Sequence, residues 1–198
     1  GLRTWLTSRG KEQELERIAS AAARAKAFSE LLRATRVRLS ALYARHDVQH
    51  CDGVIAGRGE RDGGEQSFVG IVDDKPVDAV RAWRFAEQVW RHVERPPGHL
   101  EVFLDCASHA ARLEEEKRIL SEFIVDMAAA LFALRARGTR VGLTITGRAG
   151  GGVYVALAAP AHRVASVYAR ARIEVLPGAA VAAILGESRD QAPSFGEY

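Results

Sequence analysis

The second half of the chain alternates short apolar runs with longer segments of helical spacing, and this alternation constrains the fold more than any other feature. The apolar runs predict strands at 100–106, 141–146, 163–167 and 173–176. The helical spacing predicts helices at 112–137, 153–159 and 179–185. Strands that alternate with helices are typical of an α/β fold with a mostly parallel sheet.

The first half is predicted to begin with helix and to continue into short strands. From Gln13 to about His46 one apolar stripe runs without Gly or Pro, which predicts one or two long helices. That stripe could cover the core or a partner subunit. The later patterns predict tight turns and short strands at 51–64, a strand at 67–73 and a helix at 76–93. We therefore expect a helical extension over 1–46 and the main domain over 47–198.

The composition indicates a globular chain that needs no covalent staple. It has 198 residues, of which 47% are hydrophobic, enough for an ordinary core. Two cysteines, Cys51 and Cys106, lie far apart, which excludes a disulfide scaffold and a Cys-rich zinc site. This cysteine usage favours a cytoplasmic location.

Charge and hydropathy argue against three classes of partner. The net charge is only +3, and Arg is mixed with Glu along helices, so we expect no nucleic acid. No apolar run reaches the roughly 18 to 20 residues that span a bilayer, so we expect no membrane. His46 and His50 lie near acidic residues, but no further ligand cluster follows, so we expect no metal.

Two loops follow predicted parallel strands, where ligands gather in α/β folds. One is Asp105–His109 and the other is the glycine run Gly147–Gly152. Residues without side chains let a ligand oxygen approach backbone N–H groups, and the following helix adds the positive end of its dipole. The run is neither a P-loop nor a dinucleotide fingerprint, because its spacing and following residues differ. Alternatively, the glycines only let the helix pack tightly against the sheet.

The residues of the first loop also have two interpretations. Ser108 and His109 could form hydrogen bonds or transfer a proton beside a reacting carbonyl, or they could be a turn serine and a half-exposed histidine. Cys106 falls within a predicted strand, where cysteine behaves as a small buried hydrophobe rather than as a nucleophile.

These loops carry a resemblance to a known family. The string Asp105-Cys-Ala-Ser108-His-Ala110 with Glu115-Glu116, followed by Gly147-Arg-Ala-Gly-Gly-Gly152, resembles the gamma subunit of biotin-independent malonate decarboxylase. That subunit is similar to the alpha-type carboxyltransferases of the crotonase-like superfamily. The resemblance runs from roughly Asp52 to Leu185 and is clearest after Leu100.

The resemblance implies a crotonase-like spiral of ββα units and a beta-type partner subunit that completes the active site. It also implies that a malonyl thioester on an acyl carrier protein is decarboxylated to the acetyl thioester. The implied carrier has a CoA-derived, phosphopantetheine-type arm, and no biotin or other covalent cofactor is implied. Loss of carbon dioxide generates an enolate, so such a site must stabilise negative charge on the thioester oxygen and then supply a proton.

The resemblance assigns roles to residues of both loops. The implied oxyanion donors are the amides around Ala149, Gly150 and Gly151, with Ser108 on the facing loop. The expected substrate-binding residues are His109, Arg148 and Gly152.

Other functions fit the same fold. A carboxyltransferase subunit would move a carboxyl group between biotin and an acyl-CoA, and a scaffold subunit would leave the chemistry to its partner. A serine hydrolase would need a nucleophilic serine within Gly147–Gly152, and none is present there.

Overall fold

The computed structural model describes residues 38–110, 112–167, 171–176 and 195–197. The chain divides into two compact units, residues 1–42 and 43–198. The predicted helix at 179–185 lies outside the described residues, and so does the predicted N-terminal helix except for residues 38–40, which are helical. The helical pattern does not extend to His46 as predicted, because Arg45 already begins a strand.

The second unit is a mixed α/β structure, and its main sheet is mostly parallel, as predicted. The described strands are β1 (Arg45–Cys51), β2 (Val54–Arg61), β3 (Gly64–Val72), β4 (His99–Asp105), β5 (Arg140–Ile145), β6 (Arg148–Gly150), β7 (Arg163–Ser166), β8 (Arg172–Leu176) and β9 (Phe195–Glu197). The described helices are α1 (Ala79–Trp90), α2 (Leu113–Lys117), α3 (Leu120–Ala136) and α4 (Gly151–Ala158). The main sheet has the order β1-β2-β3-β4-β5-β7, with parallel pairing from β3 onward, and β6-β8-β9 form a smaller sheet.

Two tight turns connect the antiparallel strands β1, β2 and β3. Each contains an Asp-Gly pair, Asp52-Gly53 or Asp62-Gly63, in which both residues have positive φ. A two-residue turn of this kind requires that backbone conformation, which Gly adopts freely and Asp tolerates. The predicted tight turns in this stretch are therefore confirmed.

The core lies between one face of the main sheet and helices α1 and α3. On this face, every second side chain along β2 to β5 points into the core. The helices contribute fully buried side chains that include Phe85, Met127 and Leu131. Each large apolar side chain removed from water stabilises the fold by about 1.5–3 kcal/mol. This packing fixes the strand ends, and hence the loops that follow them. No helix in the described ranges is both long and apolar enough to cross a membrane.

Each parallel strand continues into a segment that belongs to a second layer. After β3, Val77 forms a parallel bridge with His109, which lies after β4. The Cys106 N–H donates to the Arg148 carbonyl oxygen over 2.9 Å, and Arg148 begins β6. Strand β6 in turn pairs with β8. The loops after β3, β4 and β5 therefore lie side by side and are joined by backbone hydrogen bonds.

The predicted helix at 112–137 is divided into α2 and α3. Ile119 separates them and has φ 54°, a left-handed conformation that a branched residue rarely adopts. The break turns the chain so that Glu115, on α2, is buried against the start of α1.

The other face of the main sheet contains a buried carboxylate, Glu101 on β4. Its Oε1 accepts a hydrogen bond from the Thr144 hydroxyl, and its Oε2 lies 2.9 Å from His99 Nε2. Arg163 Nη2 lies 3.4 Å from both carboxylate oxygens. These partners offset the desolvation of a charge that is only 2% exposed.

Candidate functional site

The two predicted loops meet at the carboxyl ends of β4 and β5. A methyl group on Gly150 would overlap the Ala107 carbonyl oxygen, and one on Gly151 would overlap the Ser108 hydroxyl. Only residues without side chains allow this approach, and Gly151 also has φ 58°. The structure thus brings Ser108 and His109 together with Gly150 and Gly151.

Asp105 anchors the start of the glycine run. Its side chain is buried, and its Oδ1 accepts the Arg148 N–H over 2.9 Å. The carboxylate also packs directly on Gly147, where a Cβ atom would overlap it. Together with the bond from the Cys106 N–H to the Arg148 carbonyl oxygen, these contacts connect the two loops at the point where they leave the sheet.

The backbone amides of the glycine run differ in what they face. Ala149 is a buried residue of β6 and pairs in register with Ile173. The Gly150 N–H lies beside the Cys106 thiol and acts to lower its pKa. Gly151 and Gly152 begin α4, where amides have no acceptor within the helix. In the parallel ladder of β6 and β8, Gly150 pairs with Glu174 and the Arg172 N–H donates to the Gly147 carbonyl oxygen, a register in which the Gly151 N–H faces the Glu174 carbonyl oxygen. Gly152 is exposed, and its amide is therefore the donor of the glycine run best placed to bind an oxygen atom.

Ser108 and His109 lie beside these amides and are both half-buried. The Ser108 Oγ lies 3.3 Å from His109 Nδ1. The same His109 atom would lie 3.2 Å from a methyl group on Gly151 and 3.8 Å from one on Gly152. Because Val77 donates to the Ser108 carbonyl oxygen and accepts from the Ala110 N–H, the backbone on both sides is fixed. The loop is thus preorganised.

The remaining predicted substrate-binding residues lie at the outer side of the loops. The Arg148 side chain is half-exposed, and its Nη1 lies 3.6 Å from Asp74 Oδ1. Gly152 is exposed, whereas Gly151 is buried. A ligand would therefore approach the start of α4 from the side of Gly152.

Cys106 is chemically quiet at this position. Burial raises the pKa of its thiol to about 12, and the nearby Gly150 N–H only partly opposes that shift. Its thiol is therefore protonated at neutral pH, as expected for a buried structural cysteine rather than a nucleophile.

This difference between the cysteines predicts a labelling pattern. We expect iodoacetamide at mildly alkaline pH to modify the exposed Cys51 and to leave the buried Cys106 unmodified until the chain unfolds. Peptide mass spectrometry at intervals measures both rates. Comparable rates in the folded protein would show that Cys106 is accessible, contrary to this description.

Glu115 was not identified from the sequence as a positioning residue. Its Oε2 accepts the Ala79 N–H over 2.9 Å at the first residue of α1, and its Oε1 lies 3.2 Å from Arg118 Nη1. A carboxylate is favourable at a helix N-terminus, where the backbone donors are unpaired. Glu115 and Ala79 are 36 residues apart, so no local sequence pattern indicates this contact.

We expect Glu115→Ala to lower the free energy of unfolding by about 1–3 kcal/mol, because the Ala79 N–H loses its acceptor in a buried position. Glu115→Gln keeps an oxygen acceptor and should cost less. Urea unfolding of the two variants gives the comparison. Equal losses would assign the effect to the charge rather than to the hydrogen bond.

Comparison with solved structures identifies the fold. A Pseudomonas malonate decarboxylase hetero-tetramer in complex with coenzyme A is similar, with 20% identity and a TM-score of 0.63 over 70% of this chain and 59% of that chain. A Pseudomonas malonate decarboxylase hetero-tetramer in complex with malonate has 21% identity and a TM-score of 0.64 over 74% of this chain and 64% of that chain. A transcarboxylase 12S with hydrolysed methylmalonyl-coenzyme A bound has 15% identity and a TM-score of 0.60 over 71% of this chain and 28% of that chain. This likeness shows a carboxyltransferase-type fold.

The chain spans about three fifths of the malonate decarboxylase chains that it matches. No family model matches the sequence, and no curated protein does. Within the described ranges, no group of three or more His, Cys, Asp and Glu side chains could hold a metal ion.

Proposed function

We propose that this chain is one subunit of a heteromeric enzyme that decarboxylates a malonyl thioester. The observation that carries the proposal is the exposed amide of Gly152 at the start of α4, close to Ser108 and His109. This amide binds the thioester oxygen and stabilises the negative charge that develops when carbon dioxide leaves. The assignment moves the donor one residue beyond the expected Ala149, Gly150 and Gly151, because the Gly151 N–H faces the Glu174 carbonyl oxygen in the β6–β8 ladder.

The chemistry explains why a backbone site suffices. Breaking the bond to the carboxylate leaves an electron pair that is delocalised onto the thioester oxygen as an enolate. Donors aimed at that oxygen stabilise the transition state more than the ground state, which accelerates the chemical step. One such donor is worth about 10²–10³ in turnover, so one amide at the positive end of a helix dipole contributes substantially to the rate.

The proposed substrate and partner are supported by the sequence resemblance to malonate decarboxylase and by the fold. Similar structures include a malonate decarboxylase bound to coenzyme A and a transcarboxylase with hydrolysed methylmalonyl-coenzyme A. We propose that this chain uses a malonyl group on a CoA-derived arm, carried by an acyl carrier protein or as acyl-CoA. The similar malonate decarboxylases are a hetero-tetramer and a hetero-dimer. A beta-type partner would then complete the site on the side of Gly152.

A carboxyltransferase subunit is the second candidate. The observation that favours it is the likeness to transcarboxylase 12S and to the beta subunit of a Pseudomonas aeruginosa geranyl-CoA carboxylase. Both reactions can use an enolate of the acyl thioester, so the same amide would serve either one. They differ in the fate of the carboxyl group, which is released in one reaction and bound to biotin in the other.

The experiment that separates these functions is purification of the chain with the protein that accompanies it in its native source. The pair and the isolated chain are assayed for carbon dioxide release from malonyl thioesters and for carboxyl transfer to biotin. Release by the pair without biotin supports the decarboxylase. Transfer that requires biotin supports the carboxyltransferase, and full activity of the partner alone indicates a scaffold role for this chain.

A further inference from the structure

After carbon dioxide leaves, the enolate carbon needs a proton, and the Gly152 amide does not supply it. We propose that Ser108 and His109 form the proton relay that completes the reaction, an inference that rests on the proposed function. Ser108 is the donor to carbon, and His109 resupplies Ser108.

The geometry that carries this inference is the contact of the Ser108 hydroxyl with two neighbours. On one side it touches Gly151 so closely that a methyl group there would overlap it. On the other side it lies 3.3 Å from His109 Nδ1. The reacting carbon is two bonds from the thioester oxygen, and the Gly152 amide that binds this oxygen directly follows Gly151, so we expect the carbon to lie within reach of the Ser108 hydroxyl.

The hydrogen bond between the two side chains allows a proton to move from His109 to Ser108. When His109 Nδ1 carries a proton, it donates to the Ser108 Oγ, and the serine proton is then available for another acceptor. Both side chains are half-buried, so the relay can reach solvent while its serine end faces the glycine run. The backbone bonds of Ser108 and Ala110 to Val77 hold the pair in place.

The proton count balances without another reactant. The bond between the α-carbon and the carboxylate breaks, carbon dioxide leaves, and the electron pair remains as the enolate. The Ser108 O–H proton moves to carbon and forms the C–H bond of the acetyl thioester. Protonated His109 returns a proton to the Ser108 oxygen and then takes one proton from solvent. Each turnover therefore consumes one solvent proton.

The test uses His109→Asn, which keeps a hydrogen-bond donor at the position of Nδ1 but cannot transfer a proton. We expect this variant to lower kcat of the assembled complex by about 10²-fold or more, with little change in KM. Ser108→Ala should have an effect of the same order. If His109 only orients Ser108, His109→Asn will keep wild-type turnover, and the relay is then overturned.

A second readout separates the relay from decarboxylation itself. The complex is incubated with acetyl thioester in deuterium oxide, and mass spectrometry follows deuterium entry into the methyl group. We expect exchange by the wild type and at least tenfold slower exchange by His109→Asn and Ser108→Ala. Equal exchange rates overturn the relay while leaving the oxyanion site intact. A wild-type complex that neither decarboxylates malonyl thioesters nor exchanges overturns the proposed function as well.

Discussion

Replacing Gly151 with alanine is expected to lower decarboxylation by the assembled complex at least a hundredfold. The new methyl group would overlap the Ser108 hydroxyl and lie 3.2 Å from His109 Nδ1, so the two loops must separate. The alanine would also have to adopt φ 58°, which costs an L-residue about 1–2 kcal/mol. Displacing one oxyanion donor alone accounts for about 10²–10³ in turnover.

Gly63 provides the matched control for this substitution. It also has positive φ, 75°, but nothing lies within 4 Å of a methyl group added there. Gly63→Ala therefore carries the backbone cost without the collision, and we expect lower stability with unchanged turnover. Initial rates of carbon dioxide release and thermal unfolding are measured on both variants. Wild-type turnover by Gly151→Ala would contradict the role given to the glycine run.

Asp105→Ala is expected to have the second largest effect, a loss of about tenfold to a hundredfold in turnover. The Arg148 N–H would lose its buried acceptor, which costs about 1–3 kcal/mol, and a void would open beside Gly147. The loss reaches catalysis because Arg148 begins the segment that leads to Gly151. A misplacement of about 1 Å in a reacting geometry can reduce turnover by about 10²-fold.

Asp105→Asn is the conservative comparison, because its amide oxygen can still accept from the Arg148 N–H. We expect it to retain most of the turnover and to protect the amides of 147–152 from hydrogen exchange, whereas Asp105→Ala should expose them. If both variants lose activity equally, the negative charge matters rather than the hydrogen bond, and the anchoring role is wrong.

The regular core of the fold could be predicted because its strands are continuous apolar runs. Strands β3, β4 and β5 were each predicted within a few residues of their observed limits. Strand β1 was missed, since its sequence is polar and alternates between exposed and half-buried positions. It is an edge strand that is held by pairing with β2, and such pairing leaves little trace in a single sequence.

The break at Ile119 was missed for a related reason. The sequence around it contains no Gly or Pro, so helical spacing continues through it. The left-handed residue is instead compensated by tertiary contacts, among them the burial of Glu115 against α1. The helical spacing therefore predicted the correct type of element but one continuous helix instead of two.

The sequence indicates where the candidate site lies, but not which of its backbone amides remain open. Parallel strand order predicted that the two loops would be neighbours, and the structure places Ser108 against Gly151. Which amides remain open depends on long-range register, because Gly150 pairs with Glu174 and the Gly151 N–H then faces the Glu174 carbonyl oxygen. The bond between Asp105 and Arg148 likewise joins residues 43 positions apart.

The central claim is that the amide of Gly152, at the start of α4, polarises a thioester oxygen. Its most direct measurement is isotope-edited infrared spectroscopy of an acetyl thioester, labelled with ¹³C at the carbonyl, bound to the assembled complex. We predict that the carbonyl stretch moves to lower wavenumber on binding to the wild type and returns toward its value in water with Gly151→Ala. An unshifted band in the wild type, or the same shift in both proteins, would contradict the claim.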